Sequence, residues 1–273
     1  MEHRNLNDRV IVITGSTRGI GRLLAEACAA CGAKVVVSSC KEESVREALS
    51  DLQAKGYTVS GIPCDVSQPD NLEQLLARAL SLWGQVDVWI NNAGLSGGMR
   101  FLEDMEPIEI ADIVNTNITG LLTGSRLALT QFRKQGYGTL VNISGLGGKG
   151  EAAPYSAVYA ATKAAVSSIT RSLSKEKRGP GFSVFAVIPG MVATDFFRDM
   201  KVSPSLKKRN EGMPYVLDAL ALPASSVGQR IAKLIALPPE KTNGRIFSLL
   251  RGMRLMKGIF KLIRYRWQGK IRF

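Results

Sequence analysis

From residue 9 to about residue 250 the chain alternates short apolar runs with stretches whose apolar positions recur at helical spacing, and that alternation admits few folds. The runs "RVIVITG", "KVVVSS", "TVSGIPCDVS", "VDVWINNAG", "TLVNIS", "FSVFAVIPG" and "GRIFSL" are largely apolar on both faces, the mark of strands covered on both sides. Between them "GRLLAEACAACG", "EESVREALSDLQAKG", "QPDNLEQLLARALSLWG" and the stretches 107–135 and 155–177 read as helices. The order predicts an α/β fold, a doubly wound parallel sheet in a three-layer sandwich. No internal repeat or linker interrupts it, so residues 1–250 are expected to form one domain and 251–273 a C-terminal appendage.

Several classes are set aside at this stage. The polar start "MEHRNLNDRV" enters an apolar run too short for a signal peptide or a membrane span. Four cysteines and the single His3 argue against a metal site, since zinc draws on several such ligands. Cys28 and Cys31 have CxxC spacing but lie within a helical pattern, as small buried residues do, and a reducing, cytoplasmic-type compartment is expected. The net charge of +13 is uneven: from Lys241 onward there are ten Lys or Arg and no Asp or Glu.

Chemistry concentrates in a few segments. "TGSTRGIG", Thr14 to Gly21, joins the first strand to the first helix, where glycines let backbone amides approach a pyrophosphate beside the positive end of a helix dipole. This predicts a dinucleotide site. The second strand ends in Ser39, followed by Cys40 and Lys41, where an NAD site would place a carboxylate; Arg18 and Lys41 could meet a 2′-phosphate, which favours NADPH. In "YAATK" Tyr159 and Lys163 stand one helical turn apart on one face, so the ammonium is expected to lower the phenol's pKa and fit it for proton transfer.

"TGSTRGIG", "CDVS", "NNAG", "NTN", "YAATK" and "PGMVATD" follow in the order and spacing of the short-chain dehydrogenase/reductase family, which the chain resembles from about residue 7 to 250. The resemblance implies a Rossmann-type fold with Gly15, Ser16, Thr17, Arg18, Gly19 and Ile20 around the pyrophosphate. It puts Asp65 and Val66 at the adenine, Asn91, Ala93 and Gly94 along the cofactor cleft, and Pro189, Gly190, Val192 and Thr194 by the nicotinamide. Tyr159 is then the proton donor, Lys163 also holds the nicotinamide ribose, and Asn117 holds a relay water. Homo-oligomers, dimers or tetramers, are implied as well.

One departure stands out. The serine that polarises the carbonyl in this family becomes Gly145 here, with Ser144 one place early and expected to point away unless the strand bulges. The glycine-rich "GLGG" and "ALPPEKTNGRIF" before a basic tail resemble the chlorophyll b reductase branch, whose NADPH-dependent reaction turns a ring formyl group into hydroxymethyl. A keto-reductase of lipid or secondary metabolism and a non-catalytic NADP-binding regulator are the other readings. Residues 195–222 are expected to form a lid, in which Phe196, Phe197, Met200, Met213 and Tyr215 suit a bulky lipophilic carbonyl substrate or pack on their own core. In the tail, Leu249, Met253, Met256, Phe260, Ile263 and Trp267 form an apolar stripe flanked by Arg251, Arg254, Lys257, Lys261 and Arg264. Such a helix fits peripheral membrane contact, or packing against the body or a partner subunit; no nucleic-acid motif accompanies it.

Overall fold

The computed structural model describes residues 6–176, 179–194, 197 and 200–271. Seven strands form one parallel sheet: β1 (Val10–Ile13), β2 (Lys34–Ser39), β3 (Val59–Pro63), β4 (Val88–Asn91), β5 (Gly138–Ile143), β6 (Phe182–Ile188) and β7 (Ile246–Ser248). Their order is β3-β2-β1-β4-β5-β6-β7, so the chain leaves β1 on one side and returns to its other side at β4. The crevice beyond the carboxyl ends of β1 and β4 is where such sheets bind ligands.

The unbroken apolar runs have a direct cause. Successive side chains of β1 point to opposite faces: Ile11 and Ile13 join a core with helix α1 (Gly19–Ala30), while Val10 and Val12 join a second core with α3 (Pro69–Trp83). Helix α2 (Glu42–Ala54) lies against β2 and β3. On the second face α5 (Leu121–Gln135) covers the sheet through Leu127, Ala128 and Phe132. The stretch 107–135, predicted as one helix, runs as α4 (Pro107–Val114), a π-helical turn Asn115–Gly120 and α5. Such turns gather at functional sites.

Helix α6 (Ala157–Lys175) packs on β6 and carries the Tyr-Lys pair. After β6 come two short turns, helices α7 (Met213–Leu220) and α8 (Ala224–Ile235), and, past β7, α9 (Gly252–Trp267). α8 lies close along α1, where a Cβ on Gly228 would come within 2.3 Å of the Leu23 carbonyl. α9 packs across α7. Leu249, assigned to the tail's apolar stripe, instead belongs to the core at 5% exposure. The cysteines are free; Cys28 is buried in α1, and burial pushes its thiol up to about 12, consistent with a packing role.

Candidate active site

The glycine-rich turn is held from beneath and behind. Gly15 takes φ +61°, and its backbone lies against Ala93, where a Cβ would come within 2.8 Å of the Ala93 Cα. Asn92 pins the turn by donating from Nδ2 to the carbonyls of Gly15 (2.7 Å) and Thr14 (3.0 Å). Thr14 in turn accepts at Oγ1 from the amides of Asn92 and Ala93. Ser16 lies under the turn rather than in it: its hydroxyl donates to Ile13 and accepts from the Ser38 amide, so it sets the loop's shape. Helix α1 starts at Gly19 behind Arg18, and among the described residues no side chain caps it. Gly19, Ile20 and Gly21 of its first turn line the cavity, where an anion would meet the unpaired amides of a helix start.

This turn forms one end of a cavity of about 1250 Å³. Gly15, Thr17, Arg18, Gly19 and Ile20 line it, as do Ser39, Asp65, Val66, Ala93 and Gly94. Pro189, Gly190, Val192 and Thr194 line it further along. Two expectations change. Asn91 points into the second core, where it accepts from Trp89 and donates to Ser125 and Asn142; Asn92 takes the place at the cleft. Lys41 caps the start of α2 outside the lining, which leaves Arg18 as the cation beside Ser39 and Cys40. Asp65 spends one carboxylate oxygen on the amide and hydroxyl of Ser67. The site fits a dinucleotide: crowded glycines at the turn, an uncapped helix, and a wall lacking an acid at the end of β2.

Tyr159 and Lys163 face the cavity from α6, with the Lys163 Nζ 5.5 Å from the phenol ring centroid. Nζ donates to the Ile143 carbonyl at 3.0 Å. The expected acidification of the phenol does not occur in this state. Burial pushes Tyr159 up to about 12 and brings Lys163 down to about 8, because a low-dielectric wall disfavours both charged forms. Asn117 is fixed by Leu95 and Thr162: Oδ1 accepts from the Leu95 amide, and Nδ2 donates to the Leu95 carbonyl and Thr162 Oγ1. Thr162 donates within α6 to the Tyr159 carbonyl, and the bond it accepts from Asn117 ties the π-helical turn to the catalytic helix.

Ser144 does not supply the second hydroxyl. It continues the alternation of β5, and its Oγ donates to the Lys163 carbonyl at 3.0 Å with Ser167 Oγ 3.4 Å away. Gly145 instead makes room for the phenol, since a Cβ there would fall 2.6 Å from Tyr159 Oη. Restoring the family's serine with Gly145→Ser is therefore expected to displace the phenol and lower turnover by about 10-fold to 10²-fold. Steady-state assay of the variant checks this, and a gain in rate would refute it.

The far wall is apolar and built from late segments. Phe197, Met200, Met213, Val216 and Leu220 line it together with Leu250, Leu255 and Ile271. Phe196, also expected here, lies outside the described residues, and Tyr215 stacks on Tyr265 at 5.2 Å between centroids instead of facing the cavity. Sequence reasoning missed Tyr155, which lines the cavity at φ +64°, packs edge-on against Phe101 at 5.2 Å and carries the Arg209 guanidinium 5.1 Å over its ring. A tyrosine in the left-handed region is uncommon and clusters at functional sites.

Comparison with known proteins agrees with this geometry. A family model described as short chain dehydrogenase matches residues 9–203. A protein named "Probable chlorophyll(ide) b reductase NYC1, chloroplastic" from Oryza sativa subsp. japonica is 36% identical over 71% of this chain and 42% of its own length. The chain thus spans less than half of that relative. A 3-oxoacyl-[acyl-carrier-protein] reductase of Synechocystis sp. is 31% identical over 74% of this chain and 81% of its own. Among solved structures, a variant of actinorhodin polyketide ketoreductase with NADPH superposes with TM-score 0.78 at 29% identity, covering 92% of this chain and 98% of that one.

Proposed function

Because the chain belongs to the short-chain dehydrogenase family, we propose that it is an NADPH-dependent reductase of an aldehyde or ketone on a bulky lipophilic molecule, with the formyl group of chlorophyll(ide) b as the leading substrate. The observation that carries this reading is one cavity lined together by the glycine turn, by Tyr159 and Lys163, and by a cluster of apolar residues from late segments. The likeness to a chlorophyll(ide) b reductase selects the substrate class.

NADPH, when bound, supplies the hydride to the carbonyl carbon. The glycine turn and the amides of α1 would hold its pyrophosphate, Arg18 its 2′-phosphate, Asp65 and Val66 its adenine, and Gly190, Val192 and Thr194 the nicotinamide end. Tyr159 hands its phenolic proton to the carbonyl oxygen as negative charge develops there. Its raised pKa keeps it in the proton-bearing form at neutral pH, and an alkoxide in the same apolar setting is the stronger base, so transfer still runs towards the substrate. Lys163, at about 8 still mostly ammonium at pH 7, stabilises the phenolate left behind. With Gly145 in place of a serine, the substrate oxygen loses one donor and depends more heavily on Tyr159.

The working form is read as a homo-oligomer, a dimer or tetramer, in a reducing compartment and in contact with a membrane that holds the substrate. The test is oxidation of NADPH or NADH by the purified protein with chlorophyll(ide) b and, separately, a small ketone. NADPH is expected to be preferred by about tenfold through Arg18, with the formyl chlorin consumed. Reduction of the ketone alone would favour the second reading, a keto-reductase, which the 31% identity to an acyl-carrier-protein reductase supports. Nucleotide binding without turnover on either would leave only the regulator.

A further inference from the structure

The C-terminal helix α9 turns the wrong way for a helix that only packs. It rests on α7 through Gly258, where a Cβ would fall 2.6 Å from Leu220 Cδ2 and 2.8 Å from the Ala219 carbonyl. Lys261 pairs with Asp218 at 2.8 Å, and Tyr265 is hydrogen-bonded to the same carboxylate. Arg254 donates to the Ala221 carbonyl at 2.8 Å. With that side engaged, Met253 (73% exposed), Met256, Phe260 (65%), Ile263 and Trp267 (88%) line up on the opposite side at spacings of three and four, a continuous apolar seam in solvent. A surface apolar patch of this extent needs an occupant.

The charge around the seam selects one. Lys257, Arg264 and Arg266 flank it, and no acidic residue follows Lys241 anywhere in the sequence. A second copy of the helix would set cation against cation at the flanking positions of a two-heptad seam, where paired helices place opposite charges. An anionic lipid surface complements both features: headgroups meet the cations, and the seam enters the acyl boundary. The helix, about 24 Å long, lies flat rather than across, as no described helix is long and apolar enough to span.

We propose that this face of α9 docks the protein on an anionic bilayer. Leu255, three residues before Gly258 and so on the packed side of the same helix, lines the cavity, as do Leu250 and Ile271, so the docking helix is also part of the cavity wall. The proposal rests on the reading of the substrate as lipophilic, but its test is independent of turnover.

Flotation of the full chain with phosphatidylcholine vesicles, and with vesicles of phosphatidylcholine carrying phosphatidylglycerol, reads the docking directly. Binding is expected to the anionic vesicles only. It should fall by about tenfold or more in Met253→Ser/Phe260→Ser/Trp267→Ser and, separately, in Lys257→Gln/Arg264→Gln/Arg266→Gln. Both variants should retain the melting temperature and NADPH oxidation with a water-soluble aldehyde. Failure of the native chain to float with anionic vesicles, or undiminished binding by the serine variant, overturns the proposal. So does light scattering that shows the serine substitutions splitting an oligomer while neither vesicle binds, which would make a second copy the occupant. Vesicle binding by a protein that oxidises no NADPH upholds the docking and removes the enzymatic reading instead.

Discussion

Tyr159→Phe is expected to cut NADPH-dependent reduction by about 10²-fold to 10⁴-fold while the protein still binds NADPH and melts as before. The phenol carries a dissociable proton next to a cation in the cavity wall: Lys163 Nζ stands 5.5 Å from its ring, and the lack of a Cβ at Gly145 gives its oxygen room. Phenylalanine keeps the ring and its packing and removes only the proton. The loss should lie towards the upper part of that range, since Ser144 is turned to the α6 backbone and takes up none of the developing charge. Stopped-flow or steady-state absorbance with a soluble aldehyde measures it. A variant as fast as the native protein would end the assignment of Tyr159 as donor.

The second large effect is expected at Gly21→Ala. A Cβ at this position would lie 2.2 Å from the Gly15 carbonyl oxygen, 2.4 Å from Asn92 Nδ2 and 2.8 Å from the Ser16 Cα. None of these can step aside cheaply, because Asn92 is itself bonded to the Gly15 carbonyl and Ser16 is anchored under the turn by Ile13 and Ser38. The turn must therefore lift off the helix. Overpacking of this kind costs about 1–3 kcal/mol of stability, and NADPH affinity should fall by about 10²-fold or more because the amides lose their convergence. Thermal melting and nucleotide fluorescence separate the two. A variant that melts lower but binds NADPH normally would mean that the turn does not hold the pyrophosphate.

The sheet was legible in the sequence because each inner strand is covered on both faces, so its residues had to be apolar without a break; the predicted and observed bounds of β2, Lys34–Ser39, coincide. The glycine turn and the Tyr-Lys pair were equally legible, since their spacing within known elements fixes their neighbours. What escaped was direction. Asn91 and Asn92 are adjacent and identical, and only strand register decides that the first enters the core and the second holds the turn. The pKa of Tyr159 escaped because spacing reports the nearby cation but not the dry wall, and the wall wins. In the tail, the spacing of Met253, Met256, Phe260, Ile263 and Trp267 revealed a stripe without saying which side packs; Gly258, a residue that lowers helix propensity, turns out to be the notch that seats α9 on α7.

The family match ends at residue 203, yet Met213, Val216, Leu220, Leu250, Leu255 and Ile271, which enclose the far end of the chamber, all come later. Much of the apolar lining thus lies after the matched segment, although Tyr155, Phe197 and Met200 lie within it. Selection can recarve the receptacle without touching the proton-transfer apparatus, so grafting the stretch after residue 203 onto a relative should carry substrate preference along with it.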